Sequence, residues 1–330
     1  MTARRSARPI SRRTAARALA GLAGAAALLG AVGCASGSYQ GARRELAIAA
    51  GEPGGFYLTF ADMFAARVNA VEPQLHAVAV PTQGSLANLE LLRGGEVDLA
   101  LVLTDVAKLA RQDAALVGGA VPLAALGRVY QNYTQLVVPA DHRAEELADL
   151  RGGTLSLGAP GAGVTVVGER LLRVAGLTED ALTVRRLPLA AAGEQLRAGG
   201  IDGLLWSGGI PTPALDRIAE RQRVRLLPLA ALLPRLRALH GAVYEEVSVP
   251  AGTYGLPGET PTVGVANLLV CSPSLPDDVA DAIVRVLVSE AARLLPPEAL
   301  GTQYLDLRSL IGTQVPLHPG AVAAYRRLHG

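Results

Sequence analysis

Residues 46–57 read LAIAAGEPGGFY, an apolar run that leads directly into a glycine-rich turn. The run at 46–50 predicts a buried strand, and the glycines that follow it predict a sharp turn. A helix is expected after the turn, from about Phe56 to Val71. The stretch is therefore a strand, turn and helix in succession, which is the building unit of an α/β fold with a parallel sheet.

The same unit recurs along the chain, which predicts an α/β fold with a mostly parallel sheet. Removal of a predicted signal at residues 1–33 leaves 297 residues, which are enough for two modest lobes or for one large domain, and two lobes are the preferred prediction. We expect residues 45–134 and 257–330 in lobe I and residues 135–256 in lobe II. Strands are predicted at 46–50, 75–81, 97–103, 154–157, 182–187, 201–206 and 263–270, with a crossing strand at 135–138.

The N-terminus has the layout of an export signal. Arginine-rich residues precede an uncharged apolar run at 18–33, which is shorter than the roughly 20 strongly apolar residues of a membrane-spanning helix. The segment AVGC that ends at Cys34 resembles a bacterial lipobox, which predicts lipidation of Cys34 and a linker over residues 34–44. An ordinary signal cleaved nearby is the alternative. The segment SRR at 11–13 resembles a twin-arginine signal, and the export route stays open.

The charge of the mature protein differs from that of the whole chain. The chain carries 31 basic and 29 acidic residues, for a net charge of +2 at pH 7. Several arginines and no acidic residue leave with the predicted signal, so the mature protein is acidic on balance. We therefore expect no nucleic-acid partner, because such a partner requires a basic patch.

Three glycine-containing junctions between a strand and a helix, at 54–57, 82–85 and 158–165, are the candidate ligand contacts. Ligands of open α/β sheets lie beyond the carboxyl ends of the strands, where the N–H groups of helix N-termini attract anions. The junctions therefore predict a small anionic ligand. The alternative is that their glycines serve only the turns. None carries the lysine of a nucleotide-binding loop, and no cofactor is expected.

Polar and aromatic side chains near these junctions have two interpretations each. Ser85 and Asn88 either cap the second helix or contact the ligand, and Asp105 either caps the third helix or accepts a hydrogen bond from the ligand. Trp206, which closes a predicted strand, is expected beside the cleft between the lobes.

The chain offers no pattern typical of catalysis. Ser207 lacks the glycine that a G-x-S-x-G nucleophile elbow has two residues earlier, since Leu205 stands there. The five histidines are scattered, without the spacing of a zinc site. We expect a binding protein without a metal, and a secreted enzyme is the weakest alternative.

Six segments in order resemble the TAXI-type solute-binding proteins of TRAP transporters. They are GGFYLTFADMFAARVN, PTQGSLANLELLRGGEVDLALVLTDVA, DLRGGTLSLGAPGAGVTVVGERLLRVAGL, GGIDGLLWSGGIPTPAL, VPAGTYGL and VPLHPGAVAAYRRLHG. The resemblance implies a two-lobed periplasmic-binding-protein fold of type II, with each lobe a mostly parallel sheet flanked by helices and the ligand between the lobes. It also implies a protein on the outer face of the cytoplasmic membrane that delivers a glutamate-like amino acid or a dicarboxylate to a TRAP-type permease.

The resemblance also implies a ligand shell by position. Its members are Gly55, Phe56, Tyr57, Ser85, Asn88, Asp105, Ala162, Gly163, Thr165, Trp206 and Gly209. The chain departs from the family at Ala162 and Val164, where the family has hydroxyl side chains, and Thr165 is a candidate replacement. A lipid-anchored sensor that feeds a signalling partner is the alternative function for the same binding fold.

Overall fold

The computed structural model describes residues 38–178, 180–301 and 311–329. The predicted export signal, the lipobox and Cys34 lie outside the described residues. None of the described helices has both the length and the apolar character needed to cross a membrane.

Ten strands of the described residues form one mixed sheet. The strands are β1 Arg44–Ala49, β2 Leu75–Val80, β3 Leu99–Leu103, β4 Ala124–Pro139, β5 Thr154–Ser156, β6 Thr183–Arg185, β7 Gly203–Gly208, β8 Val224–Leu227, β9 Tyr244–Val249 and β10 Thr260–Cys271. The helices are α1 Phe56–Val71, α2 Ser85–Gly94, α3 Thr104–Gln112, α4 Val164–Val174, α5 Leu189–Arg197, α6 Pro213–Arg221, α7 Leu233–His240, α8 Asp277–Ser289 and α9 Pro319–His329.

The sheet consists of two parallel sets of strands joined by two long antiparallel strands. The strand order is β2-β1-β3-β10-β4-β7-β5-β6, with β8 on β4 and β9 on β10. Strand β1 is parallel to β2 and β3, and β5 is parallel to β6 and β7. We call β1–β3 with their helices the first lobe and β5–β9 with theirs the second. The arrangement confirms the predicted two-lobed α/β fold.

Strands β4 and β10 belong to both lobes. The end of β10 pairs with β3 and its start pairs with β9, while the end of β4 pairs with β7 and β8. Because both strands run through the boundary, the residue limits expected for the lobes stay a prediction.

Helix α1 begins directly after the glycine turn, as its sequence predicts. Phe60, Phe64 and Val68 recur at every fourth position, and all three are buried on the face that packs against β2 and α8. This packing sets the direction of α1, whose N-terminus points toward the second lobe.

The predicted crossing strand at 135–138 is only the end of the 16-residue β4. The first part of β4 contains Gln131, Asn132 and Thr134, whose polar side chains break the apolar pattern on which the prediction relied. All three are buried in the structure. The stretch between the strands predicted at 201–206 and 263–270, for which the sequence patterns predict no element, contains α6, β8, α7 and β9.

Candidate ligand-binding cleft

A cleft between the lobes gathers the N-termini of α1, α2 and α4. Its empty volume is about 420 Å³, including the part open to solvent. Seven of the predicted shell residues line it, namely Gly55, Phe56, Tyr57, Ser85, Ala162, Gly163 and Trp206. The structure adds Gly51, Glu52, Gln83, Gly84, Leu103, Asn132, Val164, Ser207 and Gly208. The three glycine junctions, at 54–57, 82–85 and 158–165, therefore meet in one site.

Backbone hydrogen bonds join the two lobes directly beside the cleft. The carbonyl oxygen of Gly161 in the second lobe accepts hydrogen bonds from the backbone N–H groups of Leu86 and Ala87, at 3.0 and 3.1 Å. On the other side of the cleft the N–H of Ala214 donates to the carbonyl of Gly54 at 3.2 Å. These contacts describe a closed arrangement of the two lobes.

Two glycines permit this close approach. A Cβ atom added to Gly163 would lie 2.6 Å from Ser85 Oγ, and one added to Gly209 would lie 2.5 Å from the ring of Phe56. Real Cβ atoms do not approach other atoms so closely. Gly209 therefore contributes by its lack of a side chain and does not itself line the cleft.

A chain of hydrogen bonds crosses the floor of the cleft. Tyr57 Oη donates to Asn267 Oδ1 at 2.5 Å and lies 3.3 Å from Ser85 Oγ. Asn267 Nδ2 donates to Asn132 Oδ1 at 2.6 Å, and Asn132 Nδ2 donates to Ser207 Oγ at 3.3 Å. Burial raises the pKa of Tyr57, which keeps the phenol protonated. The chain connects α1 and α2 to β7 through the two shared strands.

Glu52 is the acidic residue among those that line the cleft. Its Oε2 atom accepts a hydrogen bond from the backbone N–H of Leu189, the first residue of α5, at 2.8 Å. Its Oε1 atom is buried and has no hydrogen-bond partner. Burial raises the pKa of Glu52, and the bond from Leu189 lowers it. Among the described residues that line the cleft, none is a lysine or an arginine.

Trp206 lines the cleft with its ring held in place. Its Nε1 donates to Thr212 Oγ1 at 3.1 Å, and Thr212 Oγ1 in turn donates to the carbonyl of Gly209. A Cβ on Gly55 would lie 3.4 Å from the Trp206 ring. The indole therefore closes the second-lobe wall against the start of α1.

Asp105 and Thr165 lie outside the cleft lining. Tyr244 Oη donates to Asp105 Oδ2 at 2.9 Å, and Arg170 Nη1 lies 3.5 Å from the same oxygen. Burial raises the pKa of Asp105, and the charge of Arg170 lowers it. The hydroxyl of Thr165 donates to the carbonyl of Leu157 at 3.1 Å. Both side chains thus have protein partners, and their roles as ligand contacts stay predictions.

Asn88 also lies outside the lining and joins the first-lobe strands. Its Nδ2 donates to the carbonyls of Ala50 and Leu101, both at 2.7 Å, and its Oδ1 accepts from the hydroxyl of Thr82 at 2.5 Å. The side chain is fully buried. This network gives Asn88 a structural role in holding α2 against the ends of β1 and β3.

We expect Asn88→Ala to lower the free energy of unfolding by about 2 kcal/mol, because it leaves buried carbonyl groups without their donor. The measurement is urea denaturation followed by circular dichroism. Glu90→Ala, an exposed position on the same helix, is the control and should change stability by less than about 0.5 kcal/mol. A folded Asn88→Ala protein of normal stability that has lost its ligand would instead make Asn88 a ligand contact.

The sequence patterns did not single out Glu52, Asn132, Asn267 or Ser207 as members of one site. Glu52 lies in a turn that the glycines identify, so its position in the sequence could have indicated that it belongs to the site. Asn132 and Asn267 are 135 positions apart, and only the pairing of β4 with β10 brings them together.

Several solved structures are similar to this chain. One similar solved structure is a protein from Bordetella bronchiseptica RB50, with 16% identity, 88% of this chain and 100% of that chain covered, and a TM-score of 0.57. Another is the periplasmic aliphatic sulphonate binding protein SsuA from Escherichia coli, with 15% identity, 86% and 78% covered, and a TM-score of 0.45. A third is the alkanesulfonate-binding protein SsuA from Xanthomonas axonopodis pv. citri bound to MOPS, with 16% identity, 87% and 84% covered, and a TM-score of 0.46.

The likeness to the Bordetella protein extends over most of both chains and shows a shared fold. The NMT1-like family matches residues 48–327, a range that includes every residue that lines the cleft. The chain therefore belongs to the NMT1-like family.

Proposed function

We propose that this protein is an extracytoplasmic solute-binding protein that captures a small anionic metabolite, a glutamate-like amino acid or a dicarboxylate, between its lobes. The observation that carries the proposal is the convergence of three helix N-termini on one cleft. The first-turn N–H groups of a helix have no carbonyl partner in their own helix, and the helix dipole adds about half a positive charge there.

The N-termini differ in their availability to a ligand. In α2 the N–H groups of Leu86 and Ala87 already donate to Gly161. The starts of α1 and α4, at Phe56 and Val164, line the cleft. The next two N–H groups of α4 donate to backbone carbonyls, so the donors left for a ligand are the first-turn N–H groups of α1 and the N–H of Val164. A ligand carboxylate would be bound there by backbone donors, without a basic side chain.

The further steps of the proposal concern delivery. The protein would be held by a lipid on Cys34 at the outer face of the cytoplasmic membrane and would pass its ligand to a TRAP-type permease. Supporting features are the lipobox-like segment and the order of the six family-like segments in the sequence. Binding and release without chemical change fit a cleft whose polar groups bond mainly to one another.

Intrinsic fluorescence tests the binding step, because the single tryptophan of the chain, Trp206, lines the cleft. The purified protein is titrated with amino acids, dicarboxylates, keto acids and sugars, and thermal denaturation is measured in parallel. We expect a saturable change with a carboxylate that is recovered unaltered. At 100 times its dissociation constant the ligand should add about 2.7 kcal/mol of stability. If no anion changes either the fluorescence or the thermal stability, the proposal is contradicted.

A further inference from the structure

Glu52 is the one carboxylate among the described lining residues, in a cleft that otherwise offers neutral polar groups, backbone and apolar side chains. Only 7% of the residue is exposed. A buried carboxylate is unfavourable unless its oxygens have donors or a compensating charge. The burial of the Glu52 carboxylate therefore needs an explanation other than folding stability.

One carboxylate oxygen is accounted for by the protein. Glu52 Oε2 accepts the N–H of Leu189 at the N-terminus of α5, and this bond joins the first lobe to the second. The other oxygen, Oε1, is buried without a donor. Buried acceptors in proteins nearly always have a partner, so an unpaired one at a ligand cleft indicates a donor that the ligand brings.

The position of Glu52 relative to α1 limits the kind of donor. The N–H of Gly55 donates to the carbonyl of Glu52 at 2.9 Å, so Glu52 lies one tight turn before the helix whose N-terminus would hold the ligand carboxylate. A ligand that satisfies both groups must carry a donor close to its carboxylate. An α-amino acid does, because its ammonium and carboxylate groups share one carbon atom.

We propose that Glu52 determines specificity by accepting a hydrogen bond from the ligand's ammonium group, so that the cleft prefers zwitterionic amino acids to dicarboxylates. This inference rests on the proposed function, since it assumes that the ligand carboxylate sits at the helix N-termini. A second carboxylate beside an ionised Glu52 would instead meet a like charge.

A protonated Glu52 would give the opposite preference. Burial raises the pKa of Glu52, and a neutral carboxyl group could donate to a ligand carboxylate. Dicarboxylates would then bind well at low pH, and their affinity would fall as the pH rises through the pKa of Glu52. Ligand pairs that differ only by the amine distinguish these two possibilities.

The experiment is isothermal titration calorimetry of the purified protein with aspartate and succinate and with glutamate and glutarate, at pH 7. Within at least one pair, the amino acid should bind about tenfold or more tightly than the matching dicarboxylate. Glu52→Gln keeps a carbonyl oxygen for Leu189 but replaces the other acceptor with a donor. It should weaken amino-acid binding by about tenfold and remove the preference within the pair.

Glu90→Gln, on the exposed side of α2, is the matched control and should leave both affinities unchanged. Equal or tighter binding of the dicarboxylates by the unaltered protein would overturn the role of Glu52 while leaving the proposed function intact. Failure of every carboxylate to bind the unaltered protein would overturn the proposed function itself. The comparison in the unaltered protein does not depend on how well the variant folds.

Discussion

Arg170→Ala is expected to lower the free energy of unfolding by about 3–5 kcal/mol. Arg170 on α4 of the second lobe faces Asp105 on α3 of the first, and the side chain of Asp105 is completely buried. Tyr244 lies between them, accepting from Arg170 Nη1 at 2.6 Å and donating to Asp105 at 2.9 Å. Without Arg170, the carboxylate remains buried with no opposite charge beside it.

The measurement is urea denaturation at pH 7, with Arg173→Ala as the matched control. Arg173 lies three positions further along α4 and is exposed, so its removal should change stability by less than about 0.5 kcal/mol. Asp105→Asn introduced into the Arg170→Ala protein should recover part of the loss, because an amide needs no cation. Equal stability of the two arginine variants would contradict a stabilising role for the ion pair.

The loss should also depend on pH. Burial raises the pKa of Asp105 above its ordinary value of 3.8, and Arg170 opposes this rise. Removing Arg170 should therefore raise the pKa of Asp105 in the folded protein still further above its value in the unfolded protein. The folded variant then binds the proton more tightly, so its stability is greatest below the ordinary carboxyl pKa and falls as the pH rises through the folded-state pKa. Denaturation curves at several pH values measure this.

Local sequence patterns predict some elements of this protein and miss others. The turn at 51–55, the start of α1 and the position of Gly55, Phe56 and Tyr57 beside the cleft were predictable, because glycine and apolar spacing act within a few residues. The apolar character of 135–138 likewise indicated the end of β4. The part of β4 just before residue 135 lacks the apolar pattern of a buried strand, because its amide Asn132 bonds to Ser207 and Asn267, which are distant in the sequence.

The missed members of the cleft share a physical cause. Asn267 and Asn132 become partners only through the pairing of β10 with β4. Glu52 contacts the first residue of α5, which belongs to the other lobe. Asp105 shows the reverse case. Its position at the start of a helix allowed a capping or a ligand role. In the structure Leu103 is the N-cap residue, Asp105 Oδ2 bonds to Tyr244 and Arg170, and its Oδ1 accepts the backbone N–H of Val106.

Gly163→Val is expected to weaken ligand binding on the order of a hundredfold or more, by preventing closure of the lobes. A Cβ at this position would lie 2.6 Å from Ser85 Oγ and 2.9 Å from Leu103 Cδ1, both in the opposite lobe. The backbone of Gly163, with φ −66° and ψ −29°, is one that valine adopts without strain. The effect therefore comes from the contact between lobes and not from the turn.

Two measurements separate closure from folding. Titration calorimetry with the tightest-binding carboxylate gives the affinity, and small-angle X-ray scattering with and without that ligand reports whether the lobes close. The variant should be more extended than the unaltered protein and should not contract with ligand, because the added methyl groups meet the other lobe before the N-termini of α1 and α4 can share one ligand. Gly258→Val, at an exposed glycine with no atom within 4 Å of an added Cβ, is the control and should bind and contract normally. Normal contraction in Gly163→Val would mean that the added side chain does not prevent closure. Normal affinity without contraction would mean that the ligand does not require the closed arrangement, which would contradict binding at the cleft between the three helix N-termini.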